Sequence, residues 1–400
     1  AATDCDLIFA AMMGGIFRST NGGTSWVETG SASFQSIDLA VDDIKFVPGS
    51  STTVWAATDN GLYRSTNSGG SWTQVMTGAF QEIEFHPTNN NTMYVIRQTG
   101  DLTEFHKSTN GGATFTQQTT GWPVPAAGDE NKRAEIAVSA DAPNRVYALL
   151  TGVANGGSGL YGVYRSDDSG ASWSFNCCGP QPGGAATTSN INMMGWSDVG
   201  TDNGGQYYYD LGLAVSQADA DRVYVGGVNL WVSSDGGNSF TCPAKWSHPH
   251  KPNYVHADIH DINAYANGDL WLACDGGIFY STDEGANFDR SMEGISGSDF
   301  WGFGVGHNND ELMLGGAYHN GTLIKNGTVY DNDWACMDGG DGVGGAVHPI
   351  FEHQVYSDRN IKTMPDDRTI PPETRSYAQE PSWTYVTGRF SQVEFGADNY

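Results

Sequence analysis

The segment Tyr254-Val255-His256-Ala257-Asp258-Ile259-His260-Asp261 carries the densest chemistry in the chain. Alternation along an extended strand puts His256, Asp258 and His260 on one side. Two imidazoles and a carboxylate form a donor set that zinc or another transition metal accepts, so these three are the candidate metal ligands. Three further polar segments follow: Cys274-Asp275-Gly276-Gly277, Gly316-Ala317-Tyr318-His319-Asn320-Gly321 and Met337-Asp338-Gly339-Gly340-Asp341-Gly342. Paired carboxylates suit glycoside hydrolysis, where a separation of about 5–5.5 Å goes with retention and about 6.5–9.5 Å with inversion. Asp275, Asp338 and Asp341 are the candidate catalytic carboxylates. The Gly-Gly-Asp-Gly run also offers oxygens to calcium, but it lacks the Asp-x-Asp-x-Asp spacing of an EF-hand loop. No cofactor is required by these patterns; calcium or a transition metal is the ion they would accept.

Composition narrows the classes. The 400 residues include 46 acidic and 19 basic side chains, a formal charge of −27, which excludes nucleic-acid binding through phosphate neutralisation. At 16% charged and 12% aromatic residues, the chain is no disordered acidic tail. No apolar run is long enough to span a bilayer. Six cysteines, two of them adjacent (Cys177 and Cys178), permit disulfides in an oxidising compartment, with the pairing left open. The start, Ala1-Ala2-Thr3-Asp4-Cys5-Asp6, has neither a leading Met nor a basic n-region and reads as a mature or excised chain.

The elements that must position these groups are repeats. An octapeptide Ser-x-Asp/Asn-x-Gly-x-x-aromatic occurs at 19–26, 65–72, 108–115, 166–173, 233–240 and 281–288. Its Asp or Asn can accept backbone N–H bonds in an Asx-type turn, and its Gly supplies a conformation closed to other residues. Its aromatic begins the next strand and buries a large apolar surface. Short apolar strands precede each copy, so each box is the turn of a hairpin. A second repeat, strand–polar turn–strand, runs Ile44 to Ala57, Ile83 to Val95, Ile136 to Leu149, Leu213 to Val225 and Ile262 to Ala273. It recurs without a good box at Phe303 to Leu314 and Ala346 to Tyr356.

These boxes match the Asp-box (BNR) repeat, and the chain resembles Asp-box β-propellers. The His-x-Asp-x-His, Asp-Gly-Gly, His-Asn-Gly and Gly-Gly-Asp-Gly motifs look most like the sortilin-type propellers of secreted bacterial proteins. The resemblance implies an all-β fold: residues 1–400 as a single β-propeller of about eight four-stranded blades. Degenerate blades would cover about 300–336 and 343–386, and strand 391–396 would complete the first blade and close the ring. It also implies that the boxes lie on the face opposite the loops between blades. His256, Asp258, His260, Asp261, Asp275, Tyr318, His319, Asn320, Asp338 and Asp341 would then share one upper face, joined by Trp196 and Trp246. Those two tryptophans lie on insertions at 177–209 and 242–255; a third insertion runs 364–381, and a Gly-rich loop 151–159 sits within a blade.

Long loops on a rigid scaffold are where binding concentrates. The expected function is a secreted or cell-surface scaffold that binds a protein, a glycan or another copy of itself, including filaments made by strand exchange. The alternative is a glycoside hydrolase using the paired Asp carboxylates. A sialidase is not expected, because the Phe-Arg-Ile-Pro motif is missing and several of the few arginines lie inside the repeats (Arg18, Arg64, Arg165). Asn90, Asn320 and Asn326 fit the N-glycosylation pattern. The charge left over from boxes and turns is expected on solvent-facing loops.

Overall fold

The computed structural model describes residues 6–12, 15–30, 40–154, 156–178, 190–248 and 251–291. Between 300 and 363 it describes 300–318, 320–325, 334–338, 342, 344–347, 354–357 and 361–363. The chain divides into two units, 1–291 and 292–400. Every regular element among the described residues is a β-strand. The first unit holds a three-stranded sheet over 8–29 and four-stranded sheets over 41–77, 79–117, 130–177, 212–244 and 259–290. The second holds a four-stranded sheet over 300–338 and a three-stranded one over 345–363. In each sheet the strands follow chain order and neighbours are antiparallel, the meander of a propeller blade. The fold class is therefore all-β, of the β-propeller kind. Strand 391–396, expected to complete the first sheet, lies outside the described residues, as does the 364–381 insertion.

The strand–turn–strand repeats pair as the sequence predicts: Ile44 faces Ala56, Ile83 faces Val95, Ile136 faces Ala148, Leu213 faces Val225 and Ile262 faces Leu272. From 41 to 264, the first strand of each sheet lies against the first strand of the next. Sheets covered on both faces need strands that are apolar throughout. The second strands satisfy this: Val54–Thr58 and Val223–Gly226 are buried at every position. The core consequently lies between sheets, as where Trp55, Leu62, Phe80, Ile83 and Met93 pack together.

In the four-stranded sheets the boxes are the turns between third and fourth strands, and in the 8–29 sheet the box joins the last two of its three strands; in each box the Ser is the hub. Ser166 Oγ donates to Asp168 Oδ1 at 2.7 Å and accepts the Gly170 N–H at 2.9 Å. Asp168 Oδ1 also accepts the Ser172 N–H at 2.8 Å. The same bonds recur from Ser19, Ser65, Ser108, Ser233 and Ser281. Each of these serines is at most 2% exposed, so the Gly N–H has no water to turn to. Ser166→Ala is expected to lower stability by about 1–3 kcal/mol, read as a shift of the urea midpoint, because it orphans a buried N–H. The box aromatics Trp72, Trp173 and Phe240 are buried as expected, whereas Trp26 is 42% exposed, on the three-stranded sheet.

A backbone N–H of the box reaches the hairpin between first and second strands of the same sheet. Ser68 N donates to Thr52 O at 2.8 Å, Gly111 to Asn91 at 2.9 Å, Ser169 to Asn144 at 2.7 Å and Gly236 to Asp221 at 2.9 Å. Boxes and first hairpins therefore share one end of each sheet. The turns between second and third strands, and the connections between sheets, occupy the other. One loop reading is corrected: 151–154 and 157–159 continue two strands, with Thr151 facing Leu160 and Ala154 facing Gly157.

Candidate functional site

At the end opposite the boxes, two insertions form a joined platform. Buried Asn192 ties insertion 190–210 together: its Nδ2 donates to the carbonyls of Ser158, Asp202 and Gly204 at 3.1–3.3 Å. Its Oδ1 accepts the Leu160 N–H at 3.0 Å, so the lengthened hairpin of the 130–177 sheet anchors the insertion. Asn229, 1% exposed in the turn between second and third strands of the next sheet, joins this insertion to the one at 242–255. Its Nδ2 donates to Trp196 O and its Oδ1 accepts the Trp246 N–H, both at 3.2 Å. Trp246 Nε1 donates to Trp196 O at 3.1 Å, and Lys245 pairs with Asp198. The two rings remain 49% and 41% exposed.

The end of the first insertion, Gln206 to Asp210, lies on the polar start of the 259–290 sheet. Gln206 Nε2 donates to Asp258 Oδ1 at 2.8 Å. Tyr209 Oη lies 3.1 Å from both oxygens of Asp275, and His260 Nε2 lies 2.8 Å from Asp275 Oδ1. The Tyr209 and His260 rings meet edge to face at 4.9 Å. The Asp275 hydrogen bond raises the His260 pKa, favouring the imidazolium. Arg133 Nη1 donates to Tyr209 O at 3.1 Å. Asp210 is fully buried, and no other residue donates a hydrogen bond to its carboxyl oxygens; its own backbone N–H is the one donor close to them. Burial, then the Asp258 charge, pushes its pKa up to about 7.

The metal expectation is not met. Asp258 adopts a left-handed backbone (φ +64°), so the alternation assumed for His256, Asp258 and His260 breaks there. A bulge between Ile259 and Asp261 then re-aims His260 toward Asp275. His256 lies instead over the Asp275–Gly276 turn, where a Cβ on Gly276 would meet its ring at 2.3 Å. Among the described residues no group of three or more His, Cys, Asp or Glu is placed to hold a metal ion. Asp261 is exposed and accepts from Asn263 Nδ2 at 2.9 Å. Within the second unit Tyr318 stacks on Trp301 at 4.9 Å, and Asn320 N donates to Ala317 O at 3.0 Å. Asp338 ends the strand Trp334–Asp338, and its side chain is outside the description, as are His319, Asp341 and Asn326. Asn90 is exposed and its Nδ2 donates to Pro48 O at 2.6 Å. Cys177 and Cys178 are bonded to each other, and Cys242 and Cys274 are free thiols.

Sequence reasoning missed a second cluster. Lys45 on one first strand reaches Glu82 at 2.9 Å, and also Glu84, on the next; Asp43 lies 3.8 Å away. Glu82 in turn lies near Glu135 on the third strand of this series, and the Glu135 charge is among the causes that raise its pKa. Burial raises the pKa values of Asp43, Glu82 and Glu135. Some of the acidic excess therefore lies between first strands rather than on solvent-facing loops.

No family model matches the chain, and no curated protein matches it. Solved structures do. A GH74 xyloglucanase from Xanthomonas campestris is 14% identical with a TM-score of 0.44, covering 94% of this chain and 62% of its own. An ancestral GH74 enzyme is 16% identical with a TM-score of 0.41, covering 91% and 66%. PorZ, a surface component of the type-IX secretion system of Porphyromonas gingivalis, is 11% identical with a TM-score of 0.49, covering 91% and 44%. The chain thus spans less than two thirds of the length of each of these proteins. They are similar in fold, and the fold assignment stands on the sheets themselves.

Proposed function

We propose that the chain is an extracellular or cell-surface scaffold that binds a saccharide on the platform made by insertions 190–210 and 242–255. The observation that carries this reading is the pair Trp196 and Trp246, half exposed yet fixed through one buried Asn229. Flat aromatic faces held rigidly suit pyranose rings, which offer C–H faces and rims of hydroxyls, and the insertion that carries Trp196 also carries Tyr209, which meets Asp275 and His260. The Cys177–Cys178 disulfide fits an oxidising compartment. Affinity electrophoresis against a panel of soluble plant and microbial polysaccharides tests the reading. Trp196→Ala and Trp246→Ala are each expected to weaken a retained polysaccharide about tenfold. Absence of retardation across the panel, or unchanged retardation in both variants, would overturn it.

Hydrolysis is the competing reading. It is favoured by carboxyls of one site in unlike settings: Asp210 buried with no donor from another residue, and Asp275 held by Tyr209 and His260. Release of reducing ends from the retained polysaccharide, lost on Asp275→Asn, would replace binding with catalysis.

A further inference from the structure

Asp210 is unlike the other carboxyls around it. Asp258 takes a bond from Gln206, and Asp275 takes bonds from Tyr209 and His260. Asp210 is buried beside them, and no other residue donates to either of its oxygens. The charged and titratable groups that face it are Asp258 and His260 from the start of the 259–290 sheet and Arg133 from the 130–177 sheet. Arg133 is shared with Glu135 at 3.7 Å and with the Tyr209 carbonyl, and His260 is engaged by Asp275. A buried carboxylate that no other residue supports is costly, and the neutral carboxyl costs far less. Asp210 also ends the insertion that carries Trp196, four residues after Gln206.

We infer that Asp210 is a proton-operated latch: neutral, it lets the 206–210 segment rest on Asp258, His260 and Asp275; ionised, it releases that segment and loosens the Trp196–Trp246 platform. The inference rests on reading that platform as the ligand face, but its test needs no ligand.

The sign follows from linkage. The closed segment holds the Asp210 proton up to about pH 7, whereas a released Asp gives it up near an ordinary value. Opening is therefore promoted as pH rises and levels off once Asp210 is ionised in the closed state too. Hydrogen–deuterium exchange of the amides 194–210, corrected for intrinsic rates, is expected to speed up about fifty-fold between pH 5 and pH 7 and to level off above it. Asp210→Asn, neutral at every pH, is expected to lose most of this change and keep only the smaller part that comes from His260. His260 holds its own proton more firmly when closed, so it adds a smaller change in the same direction; His260→Gln isolates the Asp210 part. A flat profile in the unsubstituted protein overturns the latch, and so does an unchanged pH profile in Asp210→Asn. If Asp210→Asn does not fold, the profiles of the unsubstituted protein and of His260→Gln still decide. Failure of saccharide binding, by contrast, would leave the exchange profile intact and remove only the proposed ligand.

Discussion

Gly112→Ala is expected to lower stability by about 4 kcal/mol, with the neighbouring Gly111→Ala costing only about 1 kcal/mol. Both glycines lie in the box 108–115 with left-handed backbones, at φ +79° and +67°. An added methyl would strain either one alike. Their surroundings differ. A Cβ at Gly112 would lie 2.3 Å from Trp55 Cζ2 and 3.0 Å from Met93 Sδ, and these side chains are 1% and 0% exposed. A Cβ at Gly111 would meet nothing nearer than Asn91 Oδ1 at 3.6 Å. The box glycine therefore serves packing as well as the turn, because it lets an indole of the preceding sheet lie against the backbone. Gly170 repeats this against the Phe105 ring, with a Cβ 2.5 Å from Cε1. Guanidinium denaturation midpoints of the two variants give the comparison. Equal losses at 111 and 112 would show that backbone strain alone sets the requirement.

Lys45→Met should cost about 3 kcal/mol at pH 8 and markedly less at pH 5. Lys45 is the cation facing Asp43, Glu82 and Glu84 across two first strands. Without it, ionised carboxylates stay buried and repel one another. At lower pH they take up protons, and the penalty shrinks. The sign for the unsubstituted protein runs the same way. Asp43, Glu82 and Glu135 have raised pKa values, and burial lifts Asp42 to about 6 and Asp210 to about 7. Their contribution is fully present below ordinary carboxylate pKa values and is lost as pH rises through the folded values. Box Asp168 and Asp283 run the other way: hydrogen bonds hold both near 2, so their contribution is lost as pH falls toward 2. Thermal midpoints should accordingly peak in mildly acidic solution and decline toward pH 8, more steeply in Lys45→Met. A midpoint rising steadily from pH 5 to pH 8 would contradict the raised carboxyls.

Trp26 shows that the box octapeptide encodes its turn and not the packing of its aromatic. The box bonds form at 19–26 as elsewhere, with Gly23 N donating to Ser19 Oγ at 2.9 Å, so the turn chemistry is complete. Burial of the aromatic depends instead on a neighbouring sheet, which no octapeptide encodes. Asp210 was illegible for a related reason. The Tyr207-Tyr208-Tyr209 run precedes it, and nothing in that run shows that the following carboxyl is buried beside Asp258, 48 positions along the chain.

The amino-acid sequence by itself determined the strands, their hairpins and the meander order, because these depend on contacts between residues a few positions apart. Box turns, apolar alternation and strand–turn–strand spacing are local chemistry, and Ile44 facing Ala56 or Ile262 facing Leu272 follows from them. Which side chains meet at the site was decided by the tertiary structure. A left-handed Asp258 and a one-residue bulge at His260 turned an expected ligand triad into a His260–Asp275–Tyr209 network. Lys45, Glu82 and Glu135 likewise come together only because successive sheets set their first strands side by side. The physical reason is that strand formation follows near-neighbour propensity, whereas ionisation and side-chain pairing follow distances fixed by sheet packing.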